Sequence, residues 1–459
     1  MLITNKFNIK YILLLGILIR LVISPFTAHP FDMYVKVDYV NTLLVSDFNF
    51  SEIINTLRPL WFILLGITGN LYNYISIYFQ VNSTQVADLP SIMNPHWGVT
   101  LIPHPLFNFI IKLPMIICDT IIAVVIYKLV FYYYKKPDIS CKATYLFYLN
   151  PVVIWISSIW GQFDSIAVLF SLLSIYMMLK KKYSLSSLSL ILGALFKWYI
   201  LISFLPFVIY VIKKRNLSIL LKFLTPIIFV SIIGTIIILW QNTIGLSVIL
   251  QTFSPTHDLS GIFGFGLTYW SISLLYDIAS YNLAIISLLV LLTFICLSLL
   301  SISKINIKNS FDFLIFANLL LIIAIFLAHR QITEPRFVWL VPFLSISVIL
   351  KKINLRTYWA LTLITILYMQ KNFPYYLLPM NIININLIKP LFEISKNFGI
   401  ISDGSLLGGK EIFHTSILLP NPFAASILAI LGILFSIILL IIYSKYICKI
   451  FSKSIKSKV

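Results

Sequence analysis

A chain of 459 residues that is 60% apolar and only 11% charged is too poor in charge to clothe a water-soluble surface, which ordinarily carries about 25% Asp, Glu, Lys and Arg. Its net charge of +19 does not point to nucleic acid either, because no basic stretch is interleaved with stacking aromatics in a soluble module. The cations sit in short clusters at the ends of apolar runs, namely Lys135-Lys136, Lys180 to Lys182, Lys213 to Arg215, Lys351-Lys352 and the tail from Lys445 to Lys458, as inside turns do under the positive-inside rule. The four cysteines, Cys118, Cys141, Cys296 and Cys448, have no CxxC spacing, so neither a disulfide framework nor a zinc site is readable.

In chain order, Lys6 and Lys10 place the N-terminus inside, and residues 11–27 form a retained first span. Residues 28–104 hold few Lys or Arg and stay outside. Their apolar segment at 59–79 contains Gly66, Gly69, Asn70 and Asn73, so it is expected to lie on the surface or dip in and back. Residues 105–134 go in, 143–160 out and 164–180 in. Residues 184–212 have basic clusters at both ends and must form a hairpin with its tip near Lys197-Trp198. The spans 217–240, 282–303, 311–328, 336–350, 356–370 and 423–447 follow, with a second large outer loop at 371–422. The expectation is an all-α polytopic bundle of about twelve spans with both termini inside, its external loops carrying short helices. All six histidines fall outside in this layout. No internal repeat is evident, which weighs against a transporter built from two related halves.

Several polar residues then call for explanation. Asp32 stands about five residues past span one, in His29-Pro30-Phe31-Asp32. A lone Asp there is ordinarily a helix cap or a solvated turn acid; the sharper reading is a general base held where water is partly excluded. Trp160-Gly161-Gln162-Phe163-Asp164 is a tight turn between two apolar helices, in which Asp164 would cap the second. Lys197, alone at its hairpin tip, is expensive if buried and therefore predicts a functional partner. Lys112 and Asp119 lie seven apart on one helix face: either they pair or Lys112 snorkels outward, as Arg20 can. His329-Arg330-Gln331-Ile332-Thr333-Glu334-Pro335-Arg336 puts two arginines outside, against the positive-inside bias. Lipid headgroups are the plain explanation; bidentate binding of a phosphate is the functional one.

The set Asn150-Pro151, Trp160-Gly161-Gln162-Phe163-Asp164 and Gly193-Ala194-Leu195-Phe196-Lys197 resembles the glycosyltransferase C superfamily, in particular prokaryotic, notably archaeal, relatives of the GPI-anchor mannosyltransferases and oligosaccharide-lipid glucosyltransferases. Leu113-Pro114 with Asp119, and His329 through Val338-Trp339-Leu340-Val341-Pro342-Phe343, are similar to further blocks of that family. Two departures, Trp198 where Pro is common and Pro103-His104-Pro105 where Pro-Pro is common, bear on substrate identity more than on class. The likeness covers residues 1–350, a catalytic core; residues 351–459 are a C-terminal membrane region holding the outer loop 371–422, with nothing recognisable in it.

The resemblance implies a polyprenyl- or dolichyl-phosphate sugar as donor, a lipid-linked or other glycan as acceptor, and transfer at the external face of a plasma membrane, lumenal in an endomembrane. It maps the first-loop base onto Asp32, with Asp38 as fallback. In the implied inverting displacement, Arg330, Arg336, His329 and Lys197 face the lipid phosphate, with Gln162 and Asp164 in the same substrate site. No acidic DxD cluster is present, so no metal and no cofactor are expected. The rival reading is a transporter or flippase of an anionic polyprenyl lipid; a structural assembly subunit is a third. An enzyme needs its charges to converge in one outer pocket, whereas a transporter needs them to line a path.

Overall fold

The computed structural model describes residues 8–45, 59–81, 83–93, 99–240, 268, 281–305, 309–328, 333–370, 373–382, 384–397 and 422–456. Among these the architecture is helical: α1 Ile9–Ile23, α2 Pro30–Val45, α3 Pro59–Phe79, α4 Pro105–Tyr134, α5 Pro137–Tyr148, α6 Pro151–Ile154 running into a π-helical turn Trp155–Trp160, α7 Asp164–Leu179, α8 Tyr183–Phe196 and α9 Leu201–Lys213. There follow α10 Leu217–Trp240, α11 Tyr281–Lys304, α12 Ser310–Ala328, α13 Val341–Ile349, α14 Leu355–Met369, α15 Ile385–Asn397 and α16 Pro422–Lys456. Among the described residues the one departure from an all-α chain is a two-stranded antiparallel ladder, β1 Thr84–Gln85 with β2 Leu101–Ile102, in register Thr84 opposite Ile102.

Five helical stretches are long and apolar enough to cross a membrane: Pro59–Phe79, Pro105–Tyr134, Leu217–Gly234, Ser310–Ala328 and Ser426–Ile450. A sixth arises if Pro137–Tyr148 and Pro151–Trp160, bent by 50°, count as one broken span. Other apolar helices of the bundle fall short of a full span, such as Asp164–Leu179, Tyr183–Phe196 and Leu201–Lys213. The protein is therefore a helical membrane protein, with fewer full-length helices among the described residues than the twelve spans expected from hydropathy. Apolar runs that hydropathy counts as whole spans are interrupted: residues 143–160 by Asn150-Pro151, and 336–350 by a 3₁₀ turn over Glu334–Trp339.

The segment 59–79 is a single continuous helix, so it does not dip in and back at its glycines; it is long and apolar enough to span. Gly69 serves packing instead of a break. A Cβ on Gly69 would lie 2.5 Å from Val40 Cγ1, so the bare backbone lets α3 close on α2. Within 184–212 the helix breaks at the place expected for a hairpin tip. Tyr183–Phe196 ends at Lys197, whose backbone is extended (φ −157°, ψ 115°), and the chain re-enters through Trp198–Ile200 into α9.

One apolar core runs from Ile12 through α4, α7, α12 and α13 to Tyr358, Tyr368, Leu439 and Tyr443. Residues on both sides of position 350 share it, so packing marks no boundary there. A small satellite cluster joins Val86, Met93 and Ile102 to Tyr375, Leu378, Ile388 and Phe392, folding the stretch after α14 over the loop that precedes α4.

Candidate functional site

Polar residues deep in this bundle are held in two layers. In the inner layer Arg20 of α1 pairs with Asp119 of α4, Nε to Oδ2 at 3.0 Å, with neither side chain exposed. The guanidinium also donates to Gly16 O and Tyr148 O and lies 4.1 Å over the Tyr148 ring. Ser165 donates to Asp119 Oδ1 at 2.5 Å. Arg20 therefore does not snorkel, and Asp119 does not pair with Lys112. Seven residues of helix separate Lys112 from Asp119 by about 10 Å along the axis, which puts them in different layers. Lys112 is fully buried among backbone carbonyls, donating to Ser24 O at 3.0 Å, Ser158 O at 2.8 Å, Ile159 O at 3.2 Å and Thr27 O. The last carbonyls of the π-helical turn have no helical donor of their own, and Lys112 supplies one. It thereby ties the 24–27 segment to the 158–159 turn.

That turn ends at Gly161, with φ +86°, a left-handed conformation that L side chains rarely adopt. A Cβ here would also meet Met33 Cε at 2.5 Å and Lys112 Cε at 2.9 Å. The glycine thus sets the reversal that presents Trp160, Gln162 and Asp164 to the residues that follow span one.

The outer layer is built on α2. Pro30 suits the first helical position, and His29 caps it: its Nδ1 accepts from the Asp32 amide at 3.3 Å. Asp32 Oδ2 accepts from the Trp160 indole N–H, and from Gln162 Nε2 at 2.7 Å. His29 Nδ1 lies 3.4 Å from the same oxygen. The His29 ring stacks on Trp160 at 4.6 Å, and Tyr376 meets it edge-on at 5.6 Å. Burial pushes the Asp32 carboxyl up, but Lys36 and the Trp160 and Gln162 donors, joined by His29 when its imidazole is protonated, outweigh it and hold the group below its usual value. Asp32 is an ionised carboxylate at neutral pH.

Lys36, one turn further along α2 and on the same face, is buried and donates to Gly161 O. Burial lowers its ammonium to about 8; Asp32 and Asp164 act to raise it, while Lys197 acts to lower it. Asp164, fully buried, is clasped by Lys197 Nζ at 2.7 Å to each oxygen, and its Oδ1 takes the Trp339 indole N–H at 2.6 Å. It opens α7, but its carboxylate makes no capping bond. Trp339 stacks on Tyr199 with centroids 3.3 Å apart, and the Arg336 guanidinium lies 5.8 Å from the Trp339 ring. Adjacent residues at the start of α7, Asp164 and Ser165, so join the outer pair to the inner one.

Of the residues singled out in the sequence, the fold brings Asp32 and Gln162 into direct contact and places Asp164 with Lys197 in the same electrostatic cluster. Arg336 borders it through Trp339. His329 and Arg330 lie outside the described residues. The exposures divide the acids: the Asp32 side chain is 26% exposed and that of Asp164 0%. Lys36 was not anticipated, although its i, i+4 spacing from Asp32 was a readable signal. Tyr376, whose carbonyl accepts from Ala28 N at 2.8 Å, was not anticipated either; no motif marks it. Among the described residues no three His, Cys, Asp or Glu side chains converge as a metal site would. No family model and no curated protein matches the chain.

Proposed function

We propose that the chain is a membrane glycosyltransferase of the glycosyltransferase C type, which moves a hexose, mannose or glucose, from a polyprenyl- or dolichyl-phosphate sugar to a lipid-linked or other glycan acceptor at the external or lumenal face. The observation that carries the reading is Asp32: an ionised carboxylate, partly open to solvent, whose Oδ2 is fixed by Trp160 and Gln162. The contacts described above converge on Oδ2, which leaves Oδ1 to meet an acceptor.

In the proposed step Oδ1 takes the proton of an acceptor hydroxyl as that oxygen attacks the anomeric carbon from the face opposite the phosphate. The bond from the anomeric carbon to the phosphate oxygen breaks and its electron pair leaves with the polyprenyl phosphate, inverting the centre. The charge developing on that phosphate needs a fixed cation in a water-poor site. Lys36 supplies it beside Asp32, and Arg336 from beside Trp339. Lys197 is engaged through Asp164 and acts by holding the 160–164 turn in place.

Transport of an anionic polyprenyl lipid is the competing reading. It calls for charges along a path through the bilayer. The inner charges Arg20, Asp119 and Lys112 do lie deeper, yet each is saturated by protein partners and closed to solvent, which favours the enzyme. The test is to reconstitute the protein and supply labelled polyprenyl-phosphate mannose and glucose with candidate acceptors. Release of polyprenyl phosphate with label on the acceptor supports the proposal; movement of intact donor between leaflets with no bond cleaved supports transport.

A further inference from the structure

At the far end of α14 from Tyr376, the turn joining α13 to α14 and the C-terminal half of α16 border a groove of about 370 Å³. This is within the range of small-ligand pockets, about 300–1,000 Å³. Fifteen residues of helix, about 22 Å, separate it from the Asp32 end.

Its lining is divided. Lys352, Arg356 and Lys445 bring three cations to it. Arg356 and Lys445 are exposed, and neither has a carboxylate partner among the described residues. Lys352 is partly committed: it lies 5.6 Å from the centroid of the Phe316 ring, and the charge of Asp312 reaches it. Ile438, Ile441 and Ile442 form the apolar wall. Together with Lys445 they fall at i, i+3, i+4 and i+7, a single stripe of α16 with a cation at its end. Ile441 is 59% exposed.

Basic turns at helix ends are ordinarily just a solvated or headgroup-facing surface. Here the cations converge on one concavity walled by an isoleucine stripe in which Ile441 stands exposed, the layout of an amphiphile with a negative head. A free phosphate makes no use of the stripe, and a zwitterionic lipid makes poor use of three cations. We infer that this groove binds one anionic phospholipid, its phosphodiester between Arg356, Lys445 and Lys352 and an acyl chain along Ile438, Ile441 and Ile442. Basic pockets between membrane helices recognise lipid headgroups in this way. The site is separate from the Asp32 cluster and does not depend on the glycosyltransferase reading.

Native mass spectrometry of the purified protein, released from detergent with added phosphatidylglycerol, phosphatidylcholine or inorganic phosphate, tests this. One phosphatidylglycerol should be retained, and neither phosphatidylcholine nor inorganic phosphate should displace it at equal concentration. Each cation near an anionic headgroup contributes about fivefold, so Arg356→Ala/Lys445→Ala should weaken retention by ~25-fold. Ile441→Trp, which fills the stripe and keeps every charge, should also weaken it. Were the double variant to fail to fold, Ile441→Trp alone decides. Equal retention of phosphatidylcholine, displacement by inorganic phosphate, or wild-type retention by the variants would overturn the assignment.

Discussion

The Asp164 carboxylate takes the Lys197 ammonium on both oxygens at 2.7 Å and the Trp339 indole N–H on one of them at 2.6 Å. Asp164 is buried and Lys197 largely so, with side-chain exposures of 0% and 13%, so the two charges depend on each other. Removing one partner of a buried pair strands the other at a cost of about 3–5 kcal/mol, whereas replacing both by neutral groups of similar size is often nearly neutral. Lys197→Ala should therefore melt far below the wild type in detergent, and Asp164→Asn/Lys197→Met should recover most of the loss. A Lys197→Ala protein that melts with the wild type would show that the pair is not structural.

Lys36 makes a prediction in pH. Its ammonium titrates at about 8 in the fold against an ordinary value of 10.5, burial being the main cause. If this cation offsets the charge on the leaving phosphate, turnover should fall as pH rises through about 8. The acid limb lies below the ordinary carboxylate value of 3.8, because Asp32 is held lower still. Stability moves the other way. Between about 8 and 10.5 the unfolded chain binds more protons than the folded one, so the fold gains stability with rising pH in that window. Lys36→Gln should lower turnover at neutral pH and abolish the alkaline limb. Retention of that limb in the variant would assign it to another group.

Orientation is open to chemical labelling. With the endogenous cysteines replaced, Asp88→Cys, at an exposed position of the 86–88 turn, should react with an impermeant reagent added outside, and Lys181→Cys should not. This follows from the basic turn at Lys180 to Lys182 and the shortage of cations between 28 and 104. Labelling of Lys181→Cys from outside would invert the layout and move the Asp32 cluster to the other face.

How much of this was legible in the sequence differs from element to element. The break at Lys197 could be read because basic clusters at both ends forced a reversal within 184–212. The continuity of 59–79 could not: glycine at 69 looks the same whether it breaks a helix or admits Val40, and only the neighbour decides. The Arg20–Asp119 pair joins residues 99 apart, and no local pattern announces such a contact. Lys112 reads as pairing or snorkelling because helix faces are legible from spacing, while its four carbonyl acceptors come from the segment just after α1 and from the π-helical turn, whose paths are not. The 160–164 turn stood out by composition. Its partners Lys36 and Tyr376 did not, since one is a single lysine in a mixed segment and the other is brought in by a stretch folding over the site from 216 residues beyond Trp160.

The central claim is that Asp32 is the base of a sugar transfer, and Asp32→Asn tests it most directly. The amide is nearly isosteric and can still accept from Trp160 and Gln162 through its oxygen, but it cannot take a proton. Loss of a general base costs about 10²–10⁴-fold in rate. Asp38 lies exposed on the same helix, so Asp38→Asn is the control. Turnover of a labelled polyprenyl-phosphate sugar should collapse by that factor in Asp32→Asn while donor binding persists, and Asp38→Asn should turn over normally. Undiminished turnover by Asp32→Asn, on a donor the wild type consumes, would contradict the account.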